Sequence, residues 1–312
     1  MFATTPIARP RVAYFCMEYG LDPSFTVYAG GLGILAGDHM KSVGDLRLPV
    51  TGLGLLWDEG YVEQRIDGDG HPVDHYPRTS RDGLEEVGVT IEVTGRGRHV
   101  PCRAGRVRRF GAGELYLLEP IHADDRWITQ RLYGGGEEDR LAQEIVLGVG
   151  GVRLLRALGI DPDVFHFNEG HAVFAGLELL RENRFGGTTL VERLARLRPH
   201  VVFTTHTPVA AGNEVHGLDV MRRMDADPGF TDAELTEIDG PTLVYPGSLG
   251  GVQTPLAIAD GTIYACVMNA PSLYEGPEET SYGFSVQLGT ADSDFVAVDA
   301  ATGEVEWSVK LP

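Results

Sequence analysis

The sequence is short of basic residues and of long apolar runs. Lys and Arg number 26 against 45 Asp and Glu in 312 residues, which gives a formal net charge of −19. A surface this negative repels nucleic acid phosphates and anionic lipid, so we expect neither nucleic acid nor membrane as a partner. No run of about 18 apolar residues is present that could span a bilayer, and residues 1–10 lack the apolar stretch of an export signal. These absences predict a cytoplasmic protein.

Cysteine is also scarce. Cys16, Cys102 and Cys266 are odd in number and far apart. Their spacing fits neither a disulfide framework nor a C-x-x-C metal or redox motif, and it favours reduced, buried thiols. His71 and His75 lie near Asp74, but no second cluster is present to complete a ligand set. We therefore predict no metal site.

The composition changes near residue 240. All ten histidines precede residue 217, and Lys310 is the only basic residue after residue 240. The length and the 43% apolar fraction are enough for two folded domains. The break therefore predicts two modules, residues 1–240 and residues 241–312.

Residues 1–240 alternate between strand and helix patterns. Charge-rich stretches at 103–109 and 178–184 are predicted to be solvated. Apolar runs predict strands at 12–17, 50–57, 61–66, 115–118, 164–167 and 201–205, and helical spacing predicts helices at 34–46, 140–158, 171–182 and 190–197. Such alternation predicts an α/β fold with a doubly wound sheet.

Residues 241–312 carry β signals only. Strand-like runs occur at 262–267, 283–288, 295–298 and 305–309, with turn residues at 260–261 and 302–303. This pattern predicts a small all-β segment without helices.

A glycine-rich loop, Gly30-Gly31-Leu32-Gly33, follows the first predicted strand and precedes a helix. Backbone amides and the helix dipole at such a place can hold an anion, and glycine lets the anion come close. The motif is neither G-x-G-x-x-G nor a P-loop, so it fits a tight structural turn equally well.

Two polar loops follow later strands. Asn168-Glu169-Gly170-His171 offers a carboxylate, an amide and an imidazole for sugar hydroxyls or proton transfer. The alternative is that Asn168 caps the following helix and His171 is half-buried. Thr205-His206-Thr207-Pro208 repeats this placement after the next strand. Because parallel strands end at one edge of a sheet, the three loops predict a shared cleft.

Five motifs occur in one order along the chain: YFCMEYGL (14–21), YAGGLGILAGD (28–38), GYVEQR (60–65), FNEGH (167–171) and THTP (205–208). Together they resemble the α-glucan (glycogen/maltodextrin) phosphorylases, especially the short bacterial and archaeal type. The resemblance covers about residues 11–240.

The resemblance implies the Rossmann-like N-terminal half of a GT-B glycosyltransferase fold. Its reaction is the phosphorolysis of α-1,4-glucan to glucose 1-phosphate, with α-1,4-glucan and phosphate as partners and pyridoxal phosphate as cofactor. Several residues of this chain take site roles by that resemblance. Gly30, Gly31 and Leu32 give backbone amides to phosphate and glucose, Glu18 supports their loop, Asn168 and Thr207 bind substrate, and Glu169, His171 and His206 line the glucose site as catalytic residues.

The chain departs from the family pattern after residue 240. The lysine that bears the cofactor lies in a second Rossmann domain that this sequence does not show, and Ile34 stands where many longer relatives carry arginine. The resemblance therefore implies an inactive chain. Two alternatives stay open: a non-catalytic carbohydrate- or partner-binding remnant, and a nucleotide-sugar-dependent transferase of the glycogen synthase type.

Residues 241–312 resemble one blade of a quinoprotein-like (PQQ-like) β-propeller. This resemblance implies a fusion of two unrelated fragments at about residue 240. A single blade leaves its strand edges unpaired, which favours self-association through those edges.

Overall fold

The computed structural model describes residues 9–206, 216–226, 229–231 and 233–235, together with strands between residues 251 and 311. The chain divides into two compact units. The first takes in Met1–Thr205 and Val215–Ile238, and the second takes in His206–Glu214 and Asp239–Pro312.

The first unit is built on a seven-stranded sheet. The third and fourth strands along the chain form a separate hairpin outside this sheet. The strands of the unit are β1 (Val12–Phe15), β2 (Val50–Leu55), β3 (Glu63–Ile66), β4 (Pro72–His75), β5 (Leu84–Gly95), β6 (Arg98–Val107), β7 (Glu114–Pro120), β8 (Val164–Asn168) and β9 (Val201–Thr204). The sheet order is β5-β6-β7-β2-β1-β8-β9.

Five neighbouring strands of this sheet are parallel, and β5 and β6 extend it antiparallel beyond β7. Along the parallel part, the chain first moves outward from β1 through β2 to β7. It then crosses back to place β8 on the other side of β1, with Val12 opposite Val164. Strand order therefore reverses between β1 and β8, which is where open α/β sheets bind their ligands.

Six α-helices are described in this unit. They are α1 (Gly31–Leu46), α2 (Glu137–Ile145), α3 (Gly151–Ala157), α4 (Val173–Arg181), α5 (Leu190–Leu197) and α6 (Leu218–Arg223). The predicted helix at 34–46 is confirmed and begins three residues earlier. The predicted helix at 140–158 is α2 and α3, joined by a π-helical turn at Val146–Gly150. At Gly148 a Cβ atom would lie 2.5 Å from the amide nitrogen of Ala175, so the glycine lets α4 pack closely here.

The core confirms that the first apolar run is a buried strand. Phe15 on β1 is fully buried and meets Phe167 on β8 edge-on, with ring centroids 5.7 Å apart. Trp57 is fully buried after β2, and its indole nitrogen donates to the carbonyl of Met17, 3.1 Å away. Strands buried on both faces are expected when helices cover a parallel sheet. The prediction of an α/β fold is thus confirmed, and its central sheet is mostly parallel.

The two charge-rich stretches are solvated only in part. Arg108, Arg109 and Arg181 are exposed, as predicted, but the other charged side chains of these stretches are half-buried or buried. Residues 98–107 form β6, the partner of β5 in a long hairpin, and Arg103 of this strand pairs with buried Glu119. Glu178 on α4 is fully buried between the guanidinium groups of Arg153 and Arg181. The charge pattern did not predict that Glu119 and Glu178 are buried, because the arginines that pair with them lie on other elements or on the next helical turn.

The described strands of the second unit are antiparallel. They are β10 (Gly251–Val252), β11 (Ala257–Ala259), β12 (Thr262–Asn269), β13 (Ser272–Tyr274), β14 (Phe284–Val286), β15 (Asp292–Asp299) and β16 (Val305–Leu311). The main sheet runs β10-β12-β15-β16, β11 also pairs with β12, and β13 pairs with β14. The four strands predicted in this segment are confirmed, with shifted ends, and the described residues of this unit include no helix.

Candidate functional site

The chain between β1 and α1 packs tightly against the start of the helix. The amide of Gly20 donates to the carbonyl of Gly33 over 2.6 Å. A Cβ atom at Gly37 would lie 2.2 Å from the carbonyl oxygen of Gly20. Only a residue without a side chain fits there, and this contact fixes the first turns of α1 beside the carboxyl end of β1.

Glu18 forms hydrogen bonds with the backbone at the start of the glycine loop. Its carboxylate is 3% exposed, and its Oε2 atom accepts hydrogen bonds from the amides of Ala29, at 2.6 Å, and Gly30, at 3.3 Å. The Oε1 atom accepts from the hydroxyl of Tyr133. Buried carboxylates need such partners because a charge removed from water without them is costly. Glu18 thus contacts the loop that the resemblance assigns it to support, and its role in binding stays a prediction.

The N-terminus of α1 is open. Gly30 is the N-cap residue without a side-chain cap, and the first turn contains no acidic residue. Gly30 and Gly31 are exposed, and a Cβ atom at either would meet no other atom within 4 Å. The first amides of a helix have no partner within the helix. Those of Gly31 and Leu32 therefore offer donors to an anion that approaches this end.

Asn168 at the end of β8 is fully buried and ties three strands together. Its Nδ2 atom donates to the hydroxyl of Tyr14 on β1, 2.7 Å away, and its Oδ1 atom accepts from the hydroxyl of Thr204 on β9, 3.1 Å away. The hydroxyl of Thr204 also lies 3.1 Å from Nε2 of His166. The alternative in which Asn168 caps the following helix is wrong, since α4 has Ala172 as its N-cap. Asn168 instead sets the spacing of the sheet edge.

Glu169 has an unusual backbone. Its φ is +66° and its ψ is 172°, a region that residues other than glycine rarely adopt and that costs about 1–3 kcal/mol. The residue is 3% exposed. Its amide donates to the carbonyl of Thr204 over 2.8 Å, and its Oε2 atom accepts from the hydroxyl of Thr205 over 3.2 Å. The strained turn thus holds a carboxylate at the end of β8, beside β9.

Tyr133 contacts both Glu18, which supports the glycine loop, and His171 of the loop after β8. Its hydroxyl bonds to Glu18, and its ring centroid is 6.1 Å from that of His171. The guanidinium of Arg140 lies 4.7 Å from the Tyr133 ring centroid. Burial first, and then the charge of Glu18, raise the pKa of Tyr133, so the phenol stays protonated as a donor. Our sequence reasoning missed this residue, although a run of three glycines follows it directly.

The predicted site residues fall into two groups with two exceptions. Glu18 and the glycine loop follow β1, Asn168 to His171 follow β8, and Tyr133 joins the groups. His206 follows β9 along the chain and belongs to the second unit. Thr207 lies outside the described residues. Roles in ligand binding or catalysis for all of these residues stay predictions.

The prediction of reduced, buried thiols is confirmed for Cys16 and Cys102, whereas the side chain of Cys266 lies outside the described residues. Cys16 and Cys102 are free and buried, and burial raises the pKa of each thiol to about 12. Cys16 also lies 3.3 Å from the amide nitrogen of Asn168. Within the described residues, no His, Cys, Asp and Glu side chains group in threes as a metal site would require. In that same part of the chain, no helix is both long and apolar enough to cross a membrane.

These features define a class of protein: an α/β protein whose sheet reverses strand order between two loops, one with open helix amides and one with a buried carboxylate. No family model matches the chain. The maltodextrin phosphorylase of Thermococcus litoralis is 43% identical over 215 residues, which are 65% of this chain and 26% of that protein.

Two further relatives agree with this match. A glycogen phosphorylase of Mycobacterium tuberculosis is 39% identical over 68% of this chain and 27% of its own length. A glycogen phosphorylase of Aquifex aeolicus is 36% identical over 64% of this chain and 30% of its own length. Over the matched two thirds of its length, the chain belongs to the maltodextrin/glycogen phosphorylase family.

The chain spans about a quarter to three tenths of the length of these relatives. None of these comparisons supports the propeller resemblance of residues 241–312, which stays a prediction.

Proposed function

We propose that residues 1–240 form the N-terminal half of a GT-B α-glucan phosphorylase site, and that the 312-residue chain by itself binds glucan without turnover. One observation carries the proposal. The open amides of α1 and the carboxylate of Glu169 follow adjacent strands, β1 and β8, at the point where strand order reverses. A sugar phosphate needs both kinds of group, an anion cradle and acceptors for hydroxyls.

Each group has a distinct task in this proposal. The amides of Gly31 and Leu32 hold the phosphate or the glucose oxygen nearest to it. Glu18 keeps those amides in place through Ala29 and Gly30. The carboxylate of Glu169 accepts a hydrogen bond from a sugar hydroxyl. The ring of His171 lines the same glucose site. Asn168 acts as a positioning residue because its side chain is buried among β1, β8 and β9.

Preorganisation is the physical basis of this arrangement. Glu18 and Asn168 are buried and bonded before any ligand arrives, so little reorganisation is required when charge develops on the substrate. The strained backbone of Glu169 is consistent with such a role, since strain concentrates at binding and catalytic positions.

The residues of this chain do not fit covalent attachment of pyridoxal phosphate. An aldehyde cofactor is held by a lysine amine, and the sequence has two lysines, Lys41 and Lys310. Lys41 lies on α1 with its ammonium 3.9 Å from Asp38, and Lys310 lies on β16 of the second unit. Lys41 is not among the residues of the candidate site.

An assay of the purified chain tests the absence of turnover. The protein is incubated with maltodextrin, phosphate and added pyridoxal phosphate, and glucose 1-phosphate is measured against a blank without protein. We expect no product above the blank. Product above the blank would show that the chain is a complete phosphorylase.

Calorimetry tests glucan binding separately. We expect saturable heat when maltoheptaose is titrated into the protein, and a loss of affinity of about tenfold for Glu169→Gln, since one hydrogen bond to a charged acceptor is weakened. Glu63→Gln on exposed β3 is the matched control and should bind like wild type. No heat at millimolar sugar contradicts the binding function. Saturable binding of ADP-glucose would instead favour a glycogen synthase-type transferase.

A further inference from the structure

A cavity lies among residues that the candidate site does not use. It has a volume of about 400 Å³, and its lining includes Arg81, Arg103 and Arg126. Asp58 and Glu119 also face it. Three guanidinium groups and the carboxylates of Asp58, Glu86 and Glu119 therefore line one cavity.

The fold brings these side chains together from five segments. Arg103 on β6 lies directly opposite Glu119 on β7. Asp58 follows the carboxyl end of β2, Arg81 precedes β5, and Arg126 belongs to a 3₁₀ helix, Ala123–Thr129, that follows β7. The antiparallel extension of the sheet therefore forms this site, which the parallel strands alone do not provide.

Glu119 is the anchor of the cluster. Its side chain is 4% exposed, and it accepts from Arg81 at 2.7 Å and from Arg103 at 3.0 Å, while Arg126 lies 3.1 Å away. Asp58 pairs with Arg81 and, at 3.2 Å, with Arg126. Because three cations share one buried carboxylate, they are fixed in place beside the cavity.

The guanidinium groups keep donors that these carboxylates do not use. Each guanidinium carries several N–H groups in a planar fork. In the described part of the chain, Arg103 makes one side-chain hydrogen bond, to Glu119, and Arg126 donates through a single terminal nitrogen. All three arginine side chains are about one third exposed. Glu86, at 4.0 Å from Arg103, is an exposed carboxylate at the rim.

We propose that this cavity binds the phosphate group of a small organic phosphomonoester. A phosphate presents several acceptor oxygens that match arginine forks in pairs. The volume falls in the range of small-molecule sites and exceeds the size of a bare phosphate ion, so there is room for the organic part of such a molecule. This site goes beyond the proposed function and is separate in its residues from Glu18, the glycine loop and Glu169.

Binding is measured by calorimetry with ribose 5-phosphate, inorganic phosphate and ribose as probes. We expect ribose 5-phosphate to bind saturably and ribose not to bind. Tighter binding of ribose 5-phosphate than of phosphate identifies an organic phosphate as the ligand, and equal binding identifies the free ion. Ribose binding as tightly as ribose 5-phosphate, or no binding of either phosphate, overturns the proposal.

Variants locate the binding. Arg103→Lys and Arg126→Lys keep the charge but lose the fork, and each should weaken ribose 5-phosphate binding by about tenfold. Arg65→Lys, in an exposed pair with Glu63, is the matched control and should bind like wild type. Circular dichroism confirms that each variant is folded. Unchanged affinity in both cavity variants overturns the proposal.

A variant that is expected to bind more tightly complements these tests, because a folding defect cannot produce a gain of affinity. Asp58→Asn removes a carboxylate that competes for Arg81 and Arg126, so it should tighten binding of ribose 5-phosphate several-fold. Because the α1 amides are themselves proposed to hold a phosphate, the cavity variants are also measured in a Glu18→Gln background, where they should weaken ribose 5-phosphate binding by the same factor. Loss of ribose 5-phosphate binding in Glu18→Gln but not in the cavity variants would assign it to the candidate site, whereas failure of glucan binding leaves the cavity result unaffected.

Discussion

The hydroxyl of Tyr133 donates to the buried carboxylate of Glu18, across 115 positions of sequence. Through the other oxygen of that carboxylate, Tyr133 is coupled to the amides of Ala29 and Gly30. A residue that precedes α2 thus determines how firmly the glycine loop before α1 is held.

Removing this hydroxyl should weaken both stability and binding. Tyr133→Phe leaves one oxygen of a buried carboxylate without its donor, which costs about 1–3 kcal/mol of the free energy of unfolding. Urea unfolding measures this loss, and calorimetry with maltoheptaose should show weaker binding. Tyr61→Phe is the control because Tyr61 is half exposed, and it should change neither value. Equal stability of Tyr133→Phe and wild type would contradict the assigned hydrogen bond.

The strained backbone at Glu169 predicts that a glycine variant is more stable than an alanine variant, which reverses the usual order of stability. Both Glu169→Ala and Glu169→Gly remove the carboxylate, but glycine adopts a φ of +66° without strain. Glu169→Gly should therefore be more stable than Glu169→Ala by about 1–3 kcal/mol. At Glu63 on β3 the alanine variant should be the more stable one. Thermal unfolding of the four variants decides the matter, and a more stable Glu169→Ala would show that the backbone is not strained.

Two glycines of α1 should respond to alanine in opposite ways. Gly37→Ala places a methyl group 2.2 Å from the carbonyl of Gly20, and forcing the helix away from the loop should cost about 1–3 kcal/mol. Gly31→Ala meets no neighbouring atom within 4 Å and should leave stability within about 1 kcal/mol of wild type. The second variant should still reduce ligand binding if an anion approaches the amide of Gly31. Similar losses of stability in both variants would refute the close contact at Gly37.

Glu178 predicts a loss of stability in acid. Burial acts to raise the pKa of Glu178, but the hydrogen bonds from Arg181 and Arg153 outweigh it, and the pKa is lowered from 4.5. A carboxylate with a lowered pKa in the folded state stabilises the protein above pH 4.5, and this contribution disappears as the pH falls through the folded-state pKa.

The variant Glu178→Gln isolates this contribution. It should be less stable than wild type at pH 7 by about 1–3 kcal/mol, and the difference should shrink as the pH falls below 4.5. The exposed Glu63→Gln should show no such pH dependence. Urea unfolding between pH 7 and pH 3 measures both, and a difference that stays constant over this range would exclude Glu178 as the titrating group.

The sequence was enough to predict most of the alternating elements and the loops that follow β1 and β8. Apolar runs and helical spacing are local patterns, and they hold for the central strands β1, β2 and β7 because these are almost wholly buried. The prediction failed where partners are distant. The hairpin of β5 and β6 has many exposed charged residues, so its sequence pattern resembles that of a solvated stretch. Only the pairing of β6 with β7 in the structure shows that the hairpin belongs to the sheet.

By itself, then, the sequence determined the α/β class, the glycine loop and the carboxylate after β8, since residue type and spacing within one segment decide these. Only the tertiary structure decided that strand order reverses between β1 and β8, that Tyr133 reaches Glu18 and that three arginines surround Glu119. Each of these contacts joins segments that are far apart in the chain. Their pairing depends on the topology of the sheet, which no local pattern encodes.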